Sequence, residues 1–231
     1  MATTFLQLVN EVLRGYNQVE LTAANFDDSR GIHSWAKDGV NMAIRQINTE
    51  AYKWPFNAVE HTQTLVAGTY EYAWPSTFKT ADWNSFQIQK DIDLGVSMTT
   101  LRVMDRDEWY QRYRDLDDEA TIDAVGRNVP RFVFKTHGNG FGITPNPNQA
   151  YELKYRYYTY STPLVNHSDE TLIPDQFCHV IILGASRHYS RMMDGLETSV
   201  NLGEEFKQAL KQMRSLLIND EEYASDTRVN F

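Results

Sequence analysis

The groups in this chain that could hold a metal or move a proton are six histidines, a single cysteine and a short acidic run. A metal needs several ligands converging on one point. His33 stands alone in its helical stretch, and His61, His137 and His167 are scattered. His179 and His188 share a helix, but nine residues of separation turn them to opposite sides of it. No His-Glu-x-x-His pattern occurs. Cys178 precedes His179 as in a thiol–base pair, yet successive helical residues point apart. Cys178 is therefore expected as a small buried hydrophobe. The run Asp115-Leu116-Asp117-Asp118-Glu119 lacks the spacing and central glycine of a hand-type calcium loop. It reads as a solvated helix end whose carboxylates oppose the macrodipole, with Arg112 and Arg114 as surface partners. Gly138-Asn139-Gly140-Phe141-Gly142 is glycine-rich but lies between strands and lacks a lysine, so it reads as a hairpin turn. Neither a Gly-x-Ser-x-Gly elbow nor a Walker loop occurs. Nothing places two carboxylates across a cleft, as a glycosidase needs. No catalytic, metal or cofactor-binding residue is assigned, and no cofactor is expected.

The elements that would position any site follow from periodicity. Thr4 with Gln7 forms a capping-box pattern ahead of Phe5, Leu6, Val9, Val12 and Leu13 at helical spacing, with Gly15 as the stop. Asp28 or Ser29 is expected to cap a second helix whose stripe is Ile32, Trp35, Ala36, Val40, Ala43, Ile44 and Ile47. Trp35 is expected in the core. Pro55 ends that pattern in Tyr52-Lys53-Trp54-Pro55-Phe56. Short strands follow: Val59–Val66 and Thr69–Trp74 as a hairpin about Ala67-Gly68, then Phe86–Gln89 and Thr99–Met104. Between Asp105 and Asp118 the spacing of Trp109, Tyr113 and Leu116 predicts a helix. Arg131–Lys135 and Phe141–Thr144 pair across the glycine turn, and Tyr151–Tyr160 alternates as the clearest strand. Pro174 opens a third long helix through Phe177, Val180, Ile181, Ala185, His188 and Met192, which Gly195 ends. A fourth runs from about Thr198 with Leu202, Phe206, Leu210, Met213 and Leu217. The order predicts an α+β fold. Residues 1–55 and 172–220 form a helical bundle, 56–171 an inserted antiparallel β-rich lobe, and 221–231 an extended C-terminal tail.

The 231 residues and 42% hydrophobic content can build one large or two small cores. A net charge of −9 disfavours tight binding to a phosphate backbone. A single cysteine excludes an internal disulfide, and no signal peptide or membrane-length apolar run is visible.

The order of motifs resembles the head-to-tail adaptor proteins of short-tailed double-stranded-DNA phages, also called tail tubular protein A or gatekeeper. The resemblance is carried by the Phe5–Arg14 helix and by Ala43-Ile44-Arg45-Gln46-Ile47 leading to Trp54-Pro55-Phe56. It continues in the hairpin-like stretch Thr64–Tyr72, in Val129-Pro130-Arg131-Phe132, in Ile143–Pro147 with Tyr151–Tyr157, and in the paired C-terminal helices. Residues 105–128 depart from it. It implies a structural virion protein, not an enzyme. Twelve copies would form a ring under the portal protein, extending the DNA channel to a tail nozzle or tubular partner and to tail fibres. Duplex DNA would pass the lumen without specific binding, and no membrane is involved. The location implied is the virion neck, after assembly in the host cytoplasm. The alternatives are another neck or tail ring, such as a stopper or tail tube, and a carbohydrate-binding module using the Tyr- and Trp-rich insert. In the tail, Val229, Asn230 and Phe231 are the expected portal-docking residues, an aromatic anchor on a polar strand.

Overall fold

The computed structural model describes residues 3–51, 53–89, 98–193 and 195–218. In chain order the elements are α1 (Phe5–Gly15), α2 (Ile32–Glu50), β1 (Ala58–Leu65), β2 (Glu71–Ala73), β3 (Phe78–Ala81), β4 (Gln87–Gln89), β5 (Met98–Thr100) and β6 (Arg102–Val103). There follow α3 (Arg106–Arg112), α4 (Arg114–Ile122), β7 (Phe132–Lys135), β8 (Gly140–Thr144), β9 (Tyr151–Thr159), α5 (Cys178–Met192) and α6 (Leu196–Leu217). The fold is α+β, with terminal helices and a β-rich middle. Its described residues divide into two compact units, one within Met1–Asn57 and Tyr160–Phe231, the other Ala58–Thr159.

In the helical unit, α1 starts as its sequence dictates. The Thr4 hydroxyl accepts from the Gln7 amide, and the Gln7 carboxamide accepts from the Thr4 amide at 2.9 Å. Neither Asp28 nor Ser29 caps α2. That helix begins at Ile32 behind Gly31, whose φ of 63° turns the chain into it without a side-chain cap. Small residues let α2 and α5 approach closely. A Cβ on Gly184 would lie 2.8 Å from the Ala43 methyl and the Phe206 ring. The buried stripes Leu8, Val9, Val12; Val40, Ile44, Ile47; Val180, Ile181; and Phe206, Leu210, Met213 form one core. Trp35 is only partly buried at its edge. Pro174 precedes a 3-10 turn, Asp175–Phe177, rather than sitting in α5. Gly195 lies ahead of α6 as its N-cap. The loop after β9 belongs to this unit: Leu164 is in its core and exchanges two hydrogen bonds with the Asn41 carboxamide.

The β unit packs two sheets on one aromatic core. In the first, β9 is central, paired antiparallel with β1 along its full length on one side and with β4 and β3 on the other; β5 pairs with β4. The second runs β2-β8-β7-β6, antiparallel except for the parallel pair β6–β7. The expected hairpin of Val59–Val66 with Thr69–Trp74 does not form. β1 pairs with β9 and β2 with β8, because the intervening turn carries the chain from one sheet to the other. Tyr72 fixes that corner: its hydroxyl accepts from the Val66 amide and donates to the Thr69 carbonyl, both at 2.9 Å. The segment Thr99–Met104 likewise switches sheets at the buried Leu101, giving β5 and β6. The insert's Tyr and Trp residues, read as a glycan-facing surface, are largely core: Tyr72, Trp74, Tyr151, Tyr155 and Tyr157 are buried together with Phe86 and Phe141. Parallel pairing of β6 and β7 requires a crossover, and α3–α4 supply it. This crossover occupies the stretch that departs from the family resemblance.

Candidate functional site

The histidines do not meet. A His33 ring nitrogen lies 3.0 Å from the Val19 carbonyl and a His179 ring nitrogen 3.2 Å from that of Gln176. His61 packs on Tyr155, and His167 edges onto Phe26. His137 and His188 line different surface clefts. Among the described residues no three of His, Cys, Asp and Glu converge as metal ligands. Cys178 is buried, and burial pushes its thiol up, which keeps it protonated and unreactive.

The acidic run is not a solvated helix end. The helix breaks at Tyr113, so Asp115 and Asp117 lie in the first turn of α4, where carboxylates favour the macrodipole. Asp117 is 2% exposed. It accepts from the Trp109 indole at 2.8 Å and from the Asn146 amide at 3.1 Å. The Asn146 side chain in turn donates to the Asp117 carbonyl at 2.8 Å. Burial pushes the Asp117 carboxyl up, opposed by the hydrogen bonds from Trp109 and Asn146. Trp109 stacks on Phe134 with ring centres 4.4 Å apart, and Asp118 accepts from the Tyr70 hydroxyl. The cluster pins the crossover to the second sheet. Its donors come from the fold itself, from α3 and from the loop after β8.

The helical unit carries a groove of about 430 Å³ between the end of α2 and α6. Pro55 stops α2, and Trp54 folds back so that its indole donates to the Ile47 carbonyl at 2.8 Å. Trp54 is fully buried and, with the buried Phe206 and Leu210, packs directly beneath the groove. The α6 wall presents Lys207, Lys211 and Arg214, at steps of four and three that keep them on one face. Glu50 is the one carboxylate in the lining. A neighbouring cleft of about 240 Å³ shares Gln46 and adds Arg187, His188 and Arg191. A chain of net charge −9 thus concentrates cations on this stretch of α5 and α6. The spacing of Lys207, Lys211 and Arg214 was a usable signal in the sequence. The apolar layer beneath the groove was not, because it depends on Trp54 reversing onto α2.

The expected docking residues Val229, Asn230 and Phe231 lie outside the described residues. The model of the SU10 adaptor protein family matches residues 3–230. The chain belongs to the SU10 adaptor protein family. No curated protein matches it. As a phage adaptor, the chain is a structural component by family, and the match spans both of its compact units. Among the described residues, no helix of the adaptor is long and apolar enough to cross a membrane.

Proposed function

We propose that this adaptor is the head-to-tail joint of a short-tailed double-stranded-DNA phage, akin to tail tubular protein A or gatekeeper. In this reading twelve copies form a ring below the portal protein and extend the DNA channel toward a tail nozzle and fibres. It acts by shape and charge, not by catalysis. The observation that carries the reading is the family match along residues 3–230. Physical chemistry supports it in two ways. A ring of chains each at −9 repels the phosphate backbone, so the genome slides rather than sticks. Val229-Asn230-Phe231 puts an aromatic ring after a polar stretch, a pairing suited to docking on the portal. A stopper or tail-tube ring is the second reading, and a helical unit found docked on the portal would favour the adaptor over it. The experiment is electron microscopy of mature particles carrying a gold-tagged copy. The tag belongs at the neck, beneath the portal. A tag on the capsid shell or along a tail tube contradicts the assignment.

A further inference from the structure

The groove between α2 and α6 is basic on its wall, and the chain supplies a segment of opposite character directly after it. The last described residue, Ile218, is one turn beyond Arg214 and is itself buried against the helical core. The next residues include Asp220-Glu221-Glu222-Tyr223-Ala224-Ser225-Asp226, with four carboxylates and one aromatic ring.

We propose that the groove lined by Trp54, Phe206, Leu210, Lys207, Lys211 and Arg214 is the docking site of the same chain's Asp220–Asp226 segment. Reach permits it. Lys207 lies eleven residues before Ile218, about 16 Å along the helix axis. Eight residues beyond Ile218 span up to about 27 Å when extended, enough to turn back along α6 and lie in the groove. Charge favours it, since Lys207, Lys211 and Arg214 form a cationic row and the segment brings four anions. Tyr223 can lay its ring along the methylene stems of the exposed Lys207 and Lys211 while its hydroxyl stays in water. Each exposed ion pair contributes little, so the contact depends on several pairs together, on the high effective concentration of a tethered ligand, and on low salt. A second copy of the chain could offer the same segment, but Arg214, four residues before Ile218, already lines the groove of its own chain, which favours the same molecule. The proposal does not rest on the ring or portal reading.

The test uses the full chain with Cys178→Ala and a nitroxide on Ala224→Cys. Paramagnetic broadening of the Trp54 indole and of the Glu50 and Lys211 amides is expected. It should be lost in Lys207→Glu/Lys211→Glu, whose altered side chains are exposed, so that losing the weak Lys207–Glu204 pair lowers the melting temperature only slightly. It should return when Asp220, Glu221 and Glu222 are changed to Lys in that variant. In the same variant lacking the Lys changes, a Glu-specific protease should cut after Glu221 and Glu222 about fivefold faster than in the parent, the loss of two weak ion pairs. Absence of broadening in the parent overturns the proposal. So does broadening that arises only between nitroxide-bearing and isotope-labelled copies in a mixture, which assigns the groove to a second molecule.

Discussion

In the helical unit the buried core is mostly aliphatic, drawn from stripes on α1, α2, α5 and α6, and among the described residues it holds no buried carboxylate. In the β unit half the buried core is aromatic, with Trp74, Phe86, Phe141 and Tyr155 in mutual ring contact, and beside it lies the buried Asp117. The contrast follows from geometry. Helices pack through small residues such as Gly184 and Ala43 at close range, and aliphatic ridges fill what remains. Two sheets stand about 10 Å apart, and large rings fill that gap. The helical unit is therefore held by non-directional burial, and the β unit adds a directional polar clamp that holds a crossover in place. The difference teaches where each unit tolerates change: volume governs one, and hydrogen-bond direction governs part of the other.

Truncating one large, fully buried ring in each core should have the biggest effect. Trp54→Ala and Phe141→Ala should each cost about 3–5 kcal/mol. Hydrogen exchange should show protection lost within the unit that carries the change. Loss spread evenly over both units would break the comparison. Next comes Asp117→Asn, which keeps the shape but turns an amide toward the Trp109 indole or the Asn146 amide, both donors. A cost of about 1–3 kcal/mol is expected in denaturant titrations, with a changed near-ultraviolet signal from Trp109. Trp35→Ala should cost only about 1–2 kcal/mol because the ring is half-buried, and thermal denaturation beside Trp54→Ala sharpens that ranking.

The smallest effect is a pH trend of opposite sign in the two units. Asp117 has its folded-state pKa raised above the ordinary 3.8, chiefly by burial. Its contribution is fully present below 3.8 and is lost as pH rises through the raised value. Asp169 and Asp175 in the helical unit are held below 3.8, by hydrogen bonds from the Val165 and Asn166 amides and from Thr3 respectively. Their contribution is present above 3.8 and is lost as pH falls through the lowered values. Acidification should therefore favour the β unit relative to the helical unit, followed by one resolved resonance in each during thermal unfolding. Asp117→Asn should remove the β-unit part of the trend. Parallel trends in both units would show that Asp117 does not set it.

Local signals were legible in the sequence where one element decides its own form. Thr4 and Gln7 marked the start of α1, and alternation marked β9 because its buried Tyr151, Leu153, Tyr155 and Tyr157 share a face. Pairing was not legible where a partner far along the chain outcompetes the neighbour. β1 and β2 look like a hairpin from Ala67-Gly68, yet β9 and β8 satisfy their backbones. The break at Tyr113 was hidden because Trp109, Tyr113 and Leu116 keep helical spacing across it, and only the burial of Asp117 against Asn146 shows why the second helix starts there. The cationic face of α6 was readable as a stripe. Its role as one wall of a groove needed α2 and the reversed Trp54.

The central claim is that this adaptor completes a joint beneath a portal. Purified chain, expected to be a monomer or weak oligomer alone, can be mixed with a portal ring and imaged by electron cryomicroscopy. The account predicts a closed twelve-copy ring seated on the portal with density at its channel axis left open for DNA. A chain that stays unbound, or that binds the portal as scattered single copies without closing a ring, would contradict it.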